Sequence, residues 1–530
     1  MTAATDADHQ QQSQPAAPSA PEPSPRPLPH STPREQGVDA RGVLAFVDAL
    51  EAAPGIEPHS LMLLRHGHVV AQGWWRPYRP DGLQLLYSLS KSFTATALGL
   101  AVAEGLVGLD DTVLSHFPEL DDEVTDPRTR RMLVRHVASM ASGHLTETLD
   151  RAHAADPENL VRGFLLTPPD REPGSVFAYN QPCTYTVGAI VSRRSGQSLT
   201  DFLRPRLLDP VGIGDVAWQR DRTGTQLGYS GLHATTDAIA RLGLLHLQRG
   251  VWDGEPVLDE AWVREASSFQ VANADANDSP DWAQGYGFQF WRSQHGYRGD
   301  GAYGQFCLVL PEHEVVLAMT AATPDLQGVL DAAWTHLLPA FGPVPGQDAH
   351  TDSDDDTHDD GTHDDGAVRA DEALAARLAA AVVPPVGGSP APPDAGAEGW
   401  DGLVATSSDG PVRRLAVTDA GGRWEVTVTG SHPADTDAPL SVTLAGPDGG
   451  TGADDRGWAV GSALLPDGGT VPVAVSGGWT GPDHLRVDVL FRETPHRLEI
   501  ACTRDGALAG NWCTEPLGDV PLRRLRAPVA

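Results

Sequence analysis

The chain has 530 residues, 71 acidic against 38 basic, and a formal net charge of −33, which argues against nucleic acid or an anionic membrane as partner because both repel an acidic surface. That length accommodates two or three domains, each with its own core. No apolar run approaches the roughly 18 residues of a spanning helix, the N-terminus lacks the pattern of a secretory signal, and four cysteines (Cys183, Cys307, Cys502, Cys513) are too few and scattered for a disulfide framework, so a cytoplasmic protein with reduced cysteines is expected.

Residues 1–37, rich in Pro, Gln and Ala, read as a disordered tail. Gly42 to Leu50 reads as an amphipathic helix, and Ser60–Arg65 and Val69–Trp75 as two strands joined at His66-Gly67-His68 in a hairpin. The stretch Tyr87-Ser88-Leu89-Ser90-Lys91-Ser92-Phe93 follows, and Lys91 is the only lysine in the chain, every other basic side chain being arginine. Arginine holds its proton in any protein environment, whereas a buried lysine amine can be driven neutral and act as a base. The one position that keeps lysine is therefore one that needs a titratable amine. Ser88 lies three residues earlier, on the same face if the segment is helical, and a serine beside a base is the minimal activated nucleophile.

The run from Phe93 to Ala103 is apolar nearly all round and predicts a buried helix, stopped at Glu104-Gly105 and turned by Asp110 and Asp111. Helices are expected over Arg130–Ser142, Thr184–Arg194, Leu199–Leu208 and Thr235–Gly250, making the middle third helical. Strand character returns at Tyr286–Trp291, Tyr303–Leu310 and Val315–Thr320, and Asp325–Phe341 predicts a closing helix with Trp334. Two strands early and three late, with helices at both ends, predict an α+β unit over residues 38–345: an antiparallel sheet flanked by helices, with an inserted helical subdomain. Residues 346–397 read as an acidic Asp/His linker with a short helix, because the aspartates crowded between Asp348 and Asp365 repel one another. His350, His358 and His363 lie in that tract without the fixed geometry a structural metal site requires, so no metal or cofactor is expected. Residues 398–530 alternate in short strands such as Arg413–Val417, Trp424–Val428, Leu485–Phe491 and Arg497–Ala501, predicting an all-β barrel or sandwich with Trp400, Trp424, Trp479 and Trp512 in its core.

Residues 60–340 resemble the serine β-lactamase and penicillin-binding-protein superfamily, in particular its class C-like esterases. The resemblance rests on Ser88-x-x-Lys91, the exit Glu104-Gly105-Leu106 to Leu109-Asp110-Asp111, Val134-Arg135-His136 to Ser139-Met140-Ala141-Ser142-Gly143, and Pro173-Gly174 to Tyr179. The all-β tail resembles the accessory domain fused to some of these hydrolases. The resemblance implies that Ser88 is the nucleophile, Lys91 its base, and Tyr179 a proton partner of Lys91 that serves the leaving group. Gln181 stands where the family has asparagine and would reach substrate. The third family element, of Lys-Thr-Gly type, corresponds to Arg298-Gly299-Asp300-Gly301 before Ala302. Gly301 would let substrate approach the strand, and the Ala302 N–H would join that of Ser88 as an oxyanion hole. Asp300 removes the usual attraction for a substrate carboxylate, which Arg298 could restore. The expected activity is hydrolysis of a small-molecule ester or amide through an acyl-enzyme. β-Lactam or D-alanyl-D-alanine peptide cleavage, and an inactive binding module, remain alternatives, and the oligomeric state is not indicated.

Overall fold

A computed structural model of the chain describes residues 26–276, 278–343, 362–389, 391–393, 398–444 and 456–529. Its first unit is built on a six-stranded antiparallel sheet. Strands β1 (Glu57–Arg65) and β2 (His68–Trp74) form the hairpin expected at His66-Gly67, and β3 (Trp291–Arg292), β4 (Tyr297–Gly301), β5 (Gln305–Leu310) and β6 (Val315–Ala322) come from the far end of the unit. The order is β2-β1-β6-β5-β4-β3, so the early hairpin adds to the late meander along β1 and β6. The alternation of β1 sends Met62 and Leu64 to one apolar core and Leu61 and Leu63 to the other. Such two-sided burial explains why these strands read as continuous apolar runs. Helix α1 (Ala40–Ala52) covers one face; α2 (Ser90–Ala103), α3 (Gln181–Ser195) and α4 (Thr236–Leu247) belong to the helical block on the other.

Several expectations are corrected. The helix foreseen over Arg130–Ser142 is two short ones, Pro127–Arg131 and Val134–Ala138, because the backbone between them is extended and pairs with residues 111–113. The segment Tyr286–Trp291 contributes only its last residue to a strand. Of the tail expected to be disordered, residues 1–25 lie outside the described residues, but the remainder is ordered. Leu28 is buried, Val69 N–H donates to the Pro29 carbonyl (2.8 Å), and Ser31 N–H donates to the Val69 carbonyl (3.1 Å). This segment thereby covers part of the β2 edge, whose free N–H and C=O groups are a liability if left open.

The rest of that edge is covered by what composition marked as linker. Residues 344–361, with His350 and His358, lie outside the described residues, as does the His363 side chain. From Thr362 to Ala379 the chain forms α5, far longer than the short helix expected. Leu374 and Leu378, one helical turn apart, are buried against the sheet unit, and Leu378 packs where Gly73 leaves room, since a Cβ at Gly73 would lie 2.9 Å from it. Arg377 pairs with Asp48 and Glu51 of α1.

The second unit is one nine-stranded, all-antiparallel sheet, β7 (Val404–Thr406), β8 (Val412–Asp419), β9 (Trp424–Gly430), β10 (Leu440–Thr443), β11 (Ala459–Leu464), β12 (Thr470–Gly481), β13 (His484–Phe491), β14 (Arg497–Thr503) and β15 (Leu508–Trp512), paired in sequence order and curled into a nearly closed barrel. Its core holds Trp400, Trp424 and Trp479, while Trp512 is half-buried at the rim. The barrel is seated on the first unit: Trp458, Ala474 and Leu490 share a core with α1 and β1, Trp458 Nε1 donates to the Val383 carbonyl (2.8 Å), and Arg497 pairs with Glu57 at 3.0 Å. All four cysteines are free, and among the described residues no helix is long and apolar enough to cross a membrane.

Candidate active site

Ser88 lies in a 3-10 turn, Tyr87–Leu89, that leads into α2. From Gln84 to Ala101 it is the only residue not fully buried. The turn is pinned from both sides by one residue: Leu86 N–H donates to the Leu232 carbonyl (2.8 Å), and Leu232 N–H donates to Ser90 Oγ (3.0 Å). Deeper in α2, Ser92 Oγ donates to the Gln289 carbonyl (3.1 Å) and Thr94 Oγ1 to the Gly228 carbonyl (2.8 Å). These hydroxyls fasten a helix that has no polar face of its own.

Lys91, 1% exposed, opens that helix. Its Nζ lies 3.0 Å from Ser88 Oγ, 2.6 Å from Gln181 Oε1 and 2.8 Å from the Tyr229 carbonyl oxygen. Burial pushes its pKa from 10.5 down to about 7, against the opposing pull of Glu147 and Asp300. Two of the three neighbours can only accept. In the neutral amine they engage both N–H bonds, which leaves the lone pair for the serine hydroxyl.

Tyr179 is in hydrogen-bonding contact with the Ser88 hydroxyl, and its ring centre is 4.6 Å from Lys91 Nζ. Its phenol is pushed above the ordinary range, mainly by burial and then by the negative charge of Asp300. The ring stacks on Trp291 at 5.2 Å, which fixes its plane. Ser88, Lys91 and Tyr179 are thus together, and Gln181 is with them in a different posture from the one expected: its carbonyl oxygen is directed to Lys91. The extra methylene of glutamine, relative to asparagine, supplies that reach from the first turn of α3. The intervening Asn180 is buried, its Oδ1 accepting from the Thr148 N–H and hydroxyl.

Strand β4 carries the third element, with its alternate residues on opposite faces. Gly299 and Gly301 face the serine turn: a Cβ at Gly299 would lie 2.4 Å from Ser92 Oγ, and one at Gly301 would lie 2.1 Å from the Leu86 carbonyl oxygen. Gly301 therefore has a reason to be glycine within the protein itself: the strand touches the turn that carries Ser88. Arg298 and Asp300 lie on the other face. Arg298 is fully buried, donating from Nε to Asp300 Oδ2 (3.0 Å), from Nη1 to the Asp281 carbonyl (2.9 Å) and to Ser293 Oγ, with its guanidinium 4.2 Å from the Trp282 ring centre. Its Nη2 is buried and has no hydrogen-bond partner among the described residues. Asp300, 7% exposed, is hydrogen-bonded by Trp291, and burial raises its pKa against the pull of Arg298. Ala302 begins the turn after the Gly301–Gln305 pair and is half-buried.

Four contributors went unread. Glu147 accepts from the Gln181 N–H (3.1 Å) and the Thr148 and Leu149 N–H groups, putting a negative charge at the positive end of α3 and near Lys91. Tyr229 acts through its carbonyl, to which residue type gives no clue. Gln289, 2% exposed, ties α3 to the helical block by accepting from Thr184 Oγ1 (2.6 Å) and donating to the Ala138 carbonyl (2.7 Å). Trp291 stacks on Tyr179.

The chain is 25% identical over 286 residues to a 6-aminohexanoate-dimer hydrolase of Paenarthrobacter ureafaciens, covering 50% of this chain and 73% of that one. It is 32% identical over 162 residues to a lovastatin esterase of Penicillium rubens, covering 26% of this chain and 40% of the esterase. Among solved structures, a penicillin-binding protein homologue from Caulobacter crescentus aligns with a TM-score of 0.46 and 17% identity over 59% of this chain and all of that one. The Beta-lactamase family model matches residues 44–340, more than half the chain. These residues, carrying the serine, lysine and tyrosine elements in one site, belong to the family that the model defines, and the chain is a member of the beta-lactamase family of serine hydrolases.

Proposed function

We propose that the protein hydrolyses a small-molecule ester or amide through a Ser88 acyl-enzyme, with Lys91 and Tyr179 as a coupled base and acid. The observation that carries this reading is the setting of Lys91, a buried amine with two fixed acceptors and Ser88 Oγ as its third neighbour. In the first step Ser88 Oγ attacks the substrate carbonyl and its proton passes to Lys91 Nζ. The tetrahedral oxyanion is received by the Ser88 and Ala302 N–H groups. Tyr179 gives its proton to the leaving group and is reprotonated from Lys91, so the amine is neutral again. A water molecule then attacks the acyl-enzyme by the reverse relay, restoring the Ser88 hydroxyl.

The substrate class follows from charge. Glu147 and Asp300 both act on Lys91, Asp300 with its charge offset by Arg298, which leaves Glu147 as the uncompensated one. A carboxylate beside the scissile bond would meet the Glu147 charge, while Lys91, neutral when it acts as base, offers it no cation. This disfavours β-lactams and D-alanyl-D-alanine termini and favours esters and amides lacking that group. One relative is named a 6-aminohexanoate-dimer hydrolase and another a lovastatin esterase, which supports hydrolysis of a small molecule. The test is intact mass and peptide mapping after a fluorophosphonate, alongside turnover of a p-nitrophenyl ester and a chromogenic cephalosporin. A single adduct at Ser88 with ester turnover and no cephalosporin opening is expected. Rapid cephalosporin opening overturns the charge argument, and no adduct on the folded protein overturns the hydrolase reading.

A further inference from the structure

The residue before Ser88 and the residue after Ala302 share three unusual features. Tyr87 and Tyr303 both have left-handed backbone, φ 48° and 66°, which is strained for a bulky aromatic side chain. Both present a phenolic hydroxyl away from the catalytic unit, and both hydroxyls end on the barrel. Tyr87 Oη donates to His496 Nε2 at 2.7 Å and also meets the Leu517 backbone N–H; Tyr303 Oη donates to the Glu515 carbonyl. The three rings Tyr87, Tyr303 and His496 form an edge-to-face cluster, with centroids 5.6 to 6.0 Å apart.

His496 is held for this task. It is 1% exposed, and its Nδ1 lies 2.9 Å from the Thr514 carbonyl, which can only accept. Nδ1 therefore carries the proton and Nε2 the lone pair that receives the tyrosine. Burial pushes the imidazole down to about 4, so it stays neutral in this tautomer across the working pH range. The hairpin that carries His496 also grips the approach to the nucleophile: Leu85 N–H donates to the Glu493 carbonyl (2.9 Å), and Gln84 Nε2 donates to the Arg492 carbonyl (2.6 Å).

We propose that the barrel is part of the active site, with Tyr87, Tyr303 and His496 as positioning residues that hold the Ser88 and Ala302 amides in register for the oxyanion. The inference rests on the acyl-enzyme reading above and adds to it a function for the second unit. A left-handed tyrosine on either side of the amide pair relaxes toward ordinary backbone unless something external holds it. The barrel supplies that restraint at both positions, and none of the three side chains needs to touch substrate.

The experiment uses the full-length protein and the single-atom deletions Tyr87→Phe and Tyr303→Phe, together with His496→Leu. The readouts are ester-hydrolysis kinetics, affinity for a boronate that mimics the tetrahedral intermediate, and the unfolding midpoint. Deleting an oxyanion donor outright costs about 10²–10³ in kcat, so misaligning one is expected to cost about 10- to 100-fold. KM should be little changed, boronate affinity should fall by the same factor as kcat/KM, and the acid limb set by Lys91 should stay in place. The double variant Tyr87→Phe with His496→Leu should be no slower than the worse single one, because both break one bond. Should His496→Leu fail to fold, the two tyrosine variants carry the test. Variants with kcat and boronate affinity within twofold of wild type overturn the proposal, as does a lowered unfolding midpoint with unchanged kcat, which would make the contact purely structural. Fluorophosphonate labelling of the wild type separates the two readings. No Ser88 adduct overturns both, whereas a labelled wild type with fully active tyrosine variants overturns this one alone.

Discussion

Replacing Lys91 by arginine keeps a positive charge at the centre of the site and removes the ability to lose it. The drop from 10.5 to about 7 raises the neutral fraction of Lys91 at pH 7 from roughly 1 in 3,000 to about one half. The guanidinium has no accessible neutral form, so Lys91→Arg forfeits that gain. The larger head must also fit a space bounded by Ser88 Oγ at 3.0 Å, Gln181 Oε1 at 2.6 Å and the Tyr229 carbonyl at 2.8 Å. General-base catalysis contributes about 10²–10⁴-fold, and the upper half of that range is expected here, bringing Lys91→Arg close to Ser88→Ala. The assay is kcat/KM for a p-nitrophenyl ester from pH 5 to 9, with Ser88→Ala as background. In the wild type, log kcat/KM should rise with unit slope and level off near pH 7. The sign of the stability effect is fixed by the same shift: the unfolded chain holds this proton up to pH 10.5 and the folded one only to about 7, so the contribution of Lys91 to stability rises with pH across that window. A Lys91→Arg enzyme within tenfold of wild type, or a wild-type profile flat from pH 5 to 9, refutes the assignment of Lys91 as base.

Glu147 raises the Lys91 pKa, so Glu147→Gln should move the acid limb of the same profile to lower pH; a limb that moves up or stays fixed removes Glu147 from the electrostatics. Asp300→Asn leaves the fully buried Arg298 without its counter-charge, a change that typically costs about 3–5 kcal/mol, to be read from urea unfolding; a loss below about 1 kcal/mol would mean the pair is not buried as described. Gly301→Ala would drive a Cβ to 2.1 Å from the Leu86 carbonyl oxygen, so ester turnover should collapse, and a fully active variant would contradict the contact between β4 and the serine turn. A chain beginning at Val38 loses the burial of Leu28, about 1.5–3 kcal/mol, and the pairing of Pro29–Ser31 with β2, so its melting temperature should fall; an unchanged value would show that the segment adds nothing.

What the sequence disclosed followed the residues whose type is chemically specific. A solitary lysine three positions after a serine located the nucleophile and its base, and period-two and period-three patterns located α1, the β1–β2 hairpin and most of the barrel. Tyr179 came through motif likeness, and its proximity to Ser88 needed the fold. What stayed hidden acts through main-chain atoms or long-range contact. The Tyr229 carbonyl has no signature, and Glu147 and His496 are ordinary residues until the chain closes around them. Strand β4 was visible only as a motif because three of its five residues are Arg, Asp and Tyr, and the remaining two are glycines. Helix α5 was obscured because acidic composition around Asp348–Asp365 outweighed the spacing of Ala370, Leu374 and Leu378 just beyond it. Arg298 marks another limit: its charge near the site suggested a ligand contact, and its ion pair with Asp300 two residues on needed the fold to be seen.

The bond between Tyr87 and His496 joins residues 409 positions apart. A ribosome adding about 5–20 residues per second makes the second partner roughly 20–80 seconds after the first. Over the later part of that interval the emerging chain contains Ser88, Lys91, Tyr179 and both flanking tyrosines, but neither tyrosine has its anchor. On the positioning role proposed above, the catalytic unit would reach its full rate only once the last quarter of the chain, residues 398–530, has been made and seated. A product released before the barrel is made would carry Ser88, Lys91 and Tyr179 but not the anchors of Tyr87 and Tyr303, and on that role would be slowed at least as much as the single variants.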